Sequence, residues 1–127
     1  MNEGIKYYNA KVKYHLNLEF SSRDTVGDNY ANSNEKYYGN SDVTGPDAEH
    51  GTHVGGIIAA IRNNGIGING VADNVKLMGI RSVPDGDERD KDVANSIRYA
   101  VDNGAKIINM SFGKSYAWDK KVVDEAI

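Results

Sequence analysis

The sequence predicts an α/β fold in which short parallel strands alternate with helices that cover both faces of a sheet. Two observations carry this prediction. Helical and strand-like apolar patterns alternate from residue 47 onward, and two short apolar runs flank a well-marked helix. The chain ends inside an amphipathic run that has no helix stop, so the sequence also predicts an incomplete domain, cut at both ends.

Bulk composition excludes several classes of function. A chain of 127 residues can hold one core and is too short for two ordinary domains. A net charge of -3 with mixed signs provides no basic surface for nucleic acid. No apolar run reaches the roughly 18 residues that a membrane span needs, and the first residues contain no signal-peptide core. The absence of cysteine excludes disulfides and a thiol nucleophile, while composition leaves the oligomeric state open.

The first segment, residues 1–46, differs from the rest of the chain. It holds six of the eight tyrosines and long polar stretches, so it does not suggest a core of its own. Only short alternating runs such as residues 12–20 would suit a strand. We therefore predict an irregular, tyrosine-rich insertion over 1–46, ahead of a partial α/β domain over 47–127.

The first strong helical pattern covers residues 50–61. Its apolar side chains fall on one helical face, with His50 in the first turn; they are Val54, Ile57, Ile58 and Ile61. The pattern predicts a buried helix with an imidazole at its positive end. The helix dipole disfavours the imidazolium there, so His50 is a candidate general base.

The remaining elements follow in order. They are a loop at 62–74, a strand at 75–82, a loop at 83–90, a helix at 91–103, a strand at 106–112 and a helix from about residue 119. The helix at 91–103 has Asp90 or Asp92 as cap candidates and Gly104 as its stop. Its predicted apolar face consists of Val93, Ile97, Ala100 and Val101. Ligands of open parallel sheets bind at the carboxyl ends of strands, which places Ser111, Phe112 and Gly113 at the functional edge.

Three motifs carry a family resemblance. They are His-Gly-Thr-His-Val at residues 50–54, Gly-Ile-Gly-Ile-Asn-Gly-Val-Ala at 65–72 and Ile-Ile-Asn-Met-Ser-Phe-Gly at 107–113. In this order, and near this spacing, they resemble the histidine motif, the following glycine-rich loop and the substrate-binding strand of the subtilases, the subtilisin-like serine proteases of peptidase family S8. The resemblance implies that residues 47–127 are part of a subtilisin-like domain.

The resemblance also implies a reaction and a site. The parent protein would be a serine endopeptidase with an Asp-His-Ser triad, in which His50 is the histidine and residues 111–113 pair with the substrate backbone. No serine here has the context of the family's nucleophile. Asp24 imitates the motif of the acid better than Asp42 or Asp47, but no buried strand precedes it. We therefore expect the nucleophile and the acid outside these residues, and the isolated chain to be inactive.

Cofactors, partners and location are implied in the same way. The resemblance predicts a peptide or protein substrate, no required cofactor, and a parent protein that is secreted or lies in the cell envelope. The loop at 63–68 is similar to a calcium-binding loop of many subtilases, with a simple glycine-rich turn as the alternative. The acidic stretch at 85–92 favours a solvated loop over a calcium site, because the glutamate that closes an EF-hand is missing.

Two alternatives to the protease remain. The chain could be a non-catalytic remnant that binds peptide or a partner at the same sheet edge. His50 and His53 could also form a zinc site, although zincin helices place a glutamate between ligands four residues apart. For His53 we favour an imidazole hydrogen-bonded within the fold, and we assign no metal ligand.

Overall fold

The computed structural model describes residues 3–84, 86 and 88–127. These residues form five α-helices, which are α1 (Glu3–Ala10), α2 (Arg23–Val26), α3 (Glu49–Ala59), α4 (Asp90–Asp102) and α5 (Lys120–Asp124). A π-helical turn, Lys11–His15, continues α1. None of the described residues belongs to a β-strand.

The chain divides into two compact units. We call Asp42–Arg81 the histidine unit, since it contains α3, and Met1–Ser41 together with Ser82–Ile127 the split unit. The split unit contains α4 and α5, which contact each other. Asp85 and Asp87, which belong to the acidic stretch singled out in the sequence, lie outside the described residues.

The predicted parallel sheet with helices on both faces is wrong. Residues 75–82 and 106–112 are irregular, and most of their apolar side chains are exposed, among them Leu77 (57%) and Ile107 (89%). A parallel strand needs a hydrogen-bonded neighbour and cover on both faces. Residues 75–81 lie in the histidine unit and residues 106–112 in the split unit, and neither unit contains a described β-strand that could pair with them.

The possible strand at residues 12–20 is also wrong. The first half of this stretch continues the helical backbone through Lys11–His15, and the second half is irregular. Val12 is 65% exposed and Leu18 fully exposed, so no apolar surface covers the side chains that a strand would align. Alternation without a covering surface does not define a strand.

Helix α3 forms close to its predicted position but is not buried. None of its residues has a buried side chain, and Ile57 is 45% exposed. The end of α3 is closed by the chain that returns to it: the N–H groups of Val71 and Ala72 donate to the carbonyl oxygens of Ile57 and Ile58 at 3.0 and 2.8 Å. Sequence reasoning therefore identified the helix and the turn that follows it, while the expected burial is absent.

Helix α4 carries the core of the split unit. The core consists of Val93, Ala94, Ile97 and Ala100, so three of the four predicted face residues are buried. Val101, the fourth, is 58% exposed. Gly104 ends the helix as predicted, with a φ of 86° and an N–H bond to the carbonyl of Val101 at 2.9 Å.

The predicted cap of α4 is wrong. Arg89 holds the cap position without a side-chain hydrogen bond, and Asp90 and Asp92 lie inside the first turn. Their carboxylates bind groups elsewhere in the split unit. The helix expected from about residue 119 is confirmed as α5, where the carbonyl of Val122 accepts a bond from the Arg98 guanidinium at 3.3 Å. No described helix is both long enough and apolar enough to cross a membrane.

Candidate functional site

His50 is the second residue of α3, in the first helical turn as predicted. Its side chain is exposed. Just ahead of it, Asp47 accepts a hydrogen bond from the Glu49 N–H at 2.9 Å, which satisfies one of the free N–H groups at the start of the helix. The remaining free N–H groups give this end of α3 a partial positive charge. The imidazole of His50 is accessible to solvent at this end of the helix.

The carboxylates of the histidine unit that were weighed as the catalytic acid have other roles in the structure. Asp42 accepts bonds from Thr44 and from the Gly45 N–H, and it pairs with Arg81 at 3.0 Å. The Gly45 N–H, the Thr44 hydroxyl and N–H, and the Arg81 charge lower the pKa of Asp42 to about 2. Asp47 binds the start of α3, as described above.

Asp24 lies in the four-residue helix α2 of the split unit, with an exposed side chain. It does not close a buried strand, which is the setting that the family motif of the acid requires. Gly27, the last residue of the imitated motif, ends α2 with a φ of 78°. Residues 24–27 therefore resemble that motif in sequence but not in local structure.

The metal alternatives find little support among the described residues. The part of the chain that the structure describes contains no group of three or more His, Asp or Glu side chains that could hold a metal ion. His53 is exposed on α3. A histidine pair alone would need further ligands for a closed zinc site.

The loop at 63–68, which resembles a calcium-binding loop, is closed by its own amide side chains. The side-chain oxygen of Asn64 accepts the Ile66 N–H at 2.9 Å, and that of Asn69 accepts the Asn63 N–H at 2.8 Å. These amide oxygens stabilise the turn from within, and Asp73, the nearby carboxylate, pairs with Arg62 at 3.5 Å. Gly65 and Gly67 adopt positive φ in this turn.

The predicted substrate-binding residues, Ser111, Phe112 and Gly113, form an exposed, irregular segment of the split unit. The backbone hydrogen bonds between described residues do not involve this segment. The Ser111 hydroxyl accepts a bond from the Asn109 amide at 2.9 Å. An amide donor supplies no base, so this contact does not activate Ser111 as a nucleophile.

Sequence reasoning missed a buried ionic network at the start of α4. The stretch read as a solvated acidic loop contains Glu88, Asp90 and Lys91, which are 7%, 4% and 2% exposed. That expectation is therefore wrong for the described part of the stretch. The alternation of Asp90, Lys91 and Asp92 was a signal of pairing, but its partners lie far away in the sequence.

Lys91 lies at the centre of this network. Its ammonium donates to Asp28 at 2.6 Å, to the Asn29 carbonyl at 2.8 Å and to Glu35 at 2.8 Å. Burial alone would lower its pKa, but the bonds and charges of Asp28 and Glu35 outweigh this and raise the pKa above its usual value. The ammonium thus joins residues 28–35 to the first turn of α4.

A second set of contacts surrounds Asp92. Its carboxylate accepts a forked pair of bonds from Arg23 at 2.7 and 3.1 Å and a bond from the Tyr38 hydroxyl at 2.6 Å. Burial and the bond to Asp92 raise the pKa of Tyr38 above its usual value, so the hydroxyl stays protonated and donates. Both ends of the polar segment 23–38 are therefore joined to α4.

Comparison with known proteins identifies the class. The sequence model of the subtilase family matches residues 1–127. The chain therefore belongs to the subtilase family, the subtilisin-like serine proteases. The resemblance that rested on three motifs is confirmed over the whole chain.

Individual relatives agree with this assignment. The chain is 41% identical over 83 residues to the thermophilic serine proteinase of Bacillus sp. (strain AK1), an alignment that covers 56% of this chain and 21% of the relative. It is 40% identical over 83 residues to thermitase of Thermoactinomyces vulgaris, covering 56% and 30%. It is 41% identical over 71 residues to the cell wall-associated protease of Bacillus subtilis (strain 168), covering 55% and 8%.

The alignments with these three relatives span between 8% and 30% of the relatives' own lengths. No solved structure matches the chain significantly.

Proposed function

We propose that the chain is part of a serine endopeptidase that hydrolyses peptide bonds by acyl transfer, with His50 as the general base and then the general acid. The observation that carries the proposal is the position of His50, an exposed imidazole in the first turn of α3, within a chain that the subtilase family matches from end to end. A neutral imidazole can accept the proton of a serine hydroxyl near neutral pH.

The proposed reaction has two halves. As the serine oxygen bonds to the scissile carbonyl carbon, His50 takes its proton; His50 then gives that proton to the leaving amine as the C–N bond breaks. In the second half His50 takes a proton from water as the water oxygen bonds to the acyl carbon; His50 then gives that proton to the serine oxygen as its bond to the acyl carbon breaks, which releases the carboxylic acid product. We infer that the nucleophile and the acid are not among these residues. The Asn109 amide supplies no base to Ser111, Asp42 and Asp47 bind other groups, and Asp24 lies in a short helix and does not close a buried strand.

We further propose that residues 111–113 hold the substrate by pairing with its extended backbone. Their exposure and their uncommitted backbone groups support this role. The substrate class is therefore an extended peptide or an unfolded segment of a protein. We propose that the parent protein acts outside the cytoplasm, in line with the names of relatives such as the cell wall-associated protease.

The test uses the full-length protein that carries this sequence. His50→Ala should lower kcat by about five to six orders of magnitude, a scale known for subtilisin, itself a subtilase. His15→Ala is the matched control: His15 is an exposed histidine of the π-helical turn, and its removal should leave kcat unchanged. A His50→Ala protein with near-normal kcat would overturn the proposal. If the unaltered protein binds peptides without cleaving them, the non-catalytic alternative holds instead.

A further inference from the structure

Asp90 is a buried carboxylate that binds the chain immediately after the substrate segment. It is 4% exposed at the start of α4. One of its oxygens pairs with the Lys114 ammonium at 2.8 Å, and the other accepts the Asp119 N–H at 2.6 Å. The Trp118 N–H also bonds to this carboxylate. One side chain thus fixes both ends of the loop 114–119.

Lys114 directly follows Gly113 and is fixed at two points. Besides Asp90, its ammonium donates to the carbonyl oxygen of Glu88 at 2.8 Å. Its side chain is only 16% exposed, so the contact is shielded from solvent and salt more than a surface pair would be. The last residue of the substrate segment is therefore one peptide bond away from an anchored residue.

The charge state of Asp90 suits this role. Burial alone would raise its pKa, but the Lys114 bond, the Asp119 and Trp118 N–H groups and the Lys114 charge outweigh burial and lower the pKa. Asp90 therefore remains an ionised acceptor at neutral pH. Charged hydrogen bonds of this kind are stronger and more directional than neutral ones.

Apart from the bond that the Asn109 amide donates to the Ser111 hydroxyl, the substrate segment has few contacts of its own. Residues 111–113 make no backbone hydrogen bonds within the described part of the chain and have no strand beside them. The residues at either end therefore contribute to the position of the segment. On the carboxyl side, this contribution comes from the contact between Asp90 and Lys114.

We propose that Asp90 is a positioning residue for the peptidase reaction. Through Lys114 it holds residues 111–113 in place to pair with an extended substrate. The proposal rests on the proposed function of this segment. It assigns to the acidic stretch a role in fixing the substrate segment, and it predicts a defect that depends on the length of the substrate.

The experiment compares two substrates of the full-length protein: an extended peptide amide that can pair with residues 111–113, and a small ester such as p-nitrophenyl acetate that cannot. Asp90→Asn and Lys114→Met should each lower kcat/KM for the peptide about tenfold or more, mainly through KM, on the scale of one lost charged hydrogen bond. The rate on the ester should stay within about twofold of normal. Lys114→Arg, which keeps the charge and the donors, should restore most of the peptide activity.

A matched control is available in α5. Asp124 pairs with Lys120 at the surface, so Asp124→Asn removes the same kind of charge from an exposed pair and should change neither substrate's kinetics. Equal losses on peptide and ester would mean a merely structural role and would overturn the proposal, as would an unchanged KM for the peptide. If the unaltered protein cleaves neither substrate, the proposed function fails, and that outcome is distinct from a failure of the positioning role alone.

Discussion

Gly70 lies against the end of α3 so closely that no side chain fits there. A Cβ atom at this position would lie 2.4 Å from the backbone nitrogen of Ala60 and 2.7 Å from the carbonyl carbon of Ala59. The Gly70 N–H also donates to the Ala60 carbonyl at 3.0 Å. The glycine is thus required by a backbone contact that closes the helix carrying His50.

Loss of this backbone contact should lower the free energy of unfolding. Gly70→Ala should lower the free energy of unfolding by about 1–3 kcal/mol, because the added methyl forces the backbone of residues 59 and 60 to move. Gly56→Ala is the control: Gly56 lies within α3 with open space around the site of a Cβ. That change should stabilise by roughly 0.5–1 kcal/mol through helix propensity. Urea unfolding measures both, and equal effects from the two variants would contradict the account.

At the scale of elements, α4 is held by ion pairs as well as by its apolar face. Its first turn places Lys91 in a group of oxygens from residues 28–35, and the Asp28 side chain is completely buried. Burying a charge costs several kcal/mol unless it is paired and hydrogen-bonded. Lys91 and Asp28 are both paired and hydrogen-bonded, so this cost is offset. Because the pairing joins residues 28–35 to α4, we expect these parts to unfold together.

Removal of one partner should therefore be costly. Lys91→Met leaves the buried carboxylate of Asp28 without one of its two cations and should lower the free energy of unfolding by about 3–5 kcal/mol. Lys120→Met, which removes the exposed pair with Asp124, should change it by no more than about 0.5 kcal/mol. Denaturant unfolding of both variants checks the difference. Similar values for the two would show that the network adds little stability.

The same network predicts a pH dependence. Burial alone would raise the pKa of Asp28, but bonds from Arg23 and Lys91 outweigh it, so the folded pKa lies below its ordinary value of 3.8. This stabilisation is fully present above that value and is lost as pH falls through the lowered folded pKa. Stability measured below pH 4 should therefore decline less steeply in Asp28→Asn than in the unaltered protein. Parallel acid limbs would argue against the assignment.

At the scale of the whole molecule, the elements set by local pattern were predictable and the sheet was not. Helices α3 and α4 follow from apolar spacing and from stop signals such as Gly104. The apolar runs at 75–82 and 106–112 show the composition of strands, but composition does not supply the neighbouring strand that a sheet requires. Both runs are irregular in the structure.

In the candidate site too, the feature set by local pattern was predictable and the long-range contacts were not. A helix of this spacing places His50 in the first turn, so its position was predictable. The contacts of Asp90 and Lys91 join residues far apart in the sequence, from Asp28 to Lys114, and only the folded chain brings them together. The sequence of an acidic stretch that contains a lysine does not show whether its side chains face solvent or form buried ion pairs.

We expect the isolated chain to be inactive as a peptidase. The 127-residue polypeptide alone should not hydrolyse a fluorogenic peptide above the uncatalysed rate, because a general base without a nucleophile cannot carry out acyl transfer. The full-length protein under the same conditions is the positive control. Turnover by the isolated chain that disappears in Ser111→Ala would show that the nucleophile was misassigned.

The most direct test of the central claim, that His50 activates a serine outside residues 1–127, is covalent labelling of the full-length protein with a fluorophosphonate probe. Mass spectrometry of the labelled protein should locate the probe on one serine outside these residues, and His50→Ala should slow labelling by orders of magnitude while His15→Ala leaves it unchanged. A probe attached to Ser111, or labelling that proceeds at the normal rate in His50→Ala, would contradict the claim.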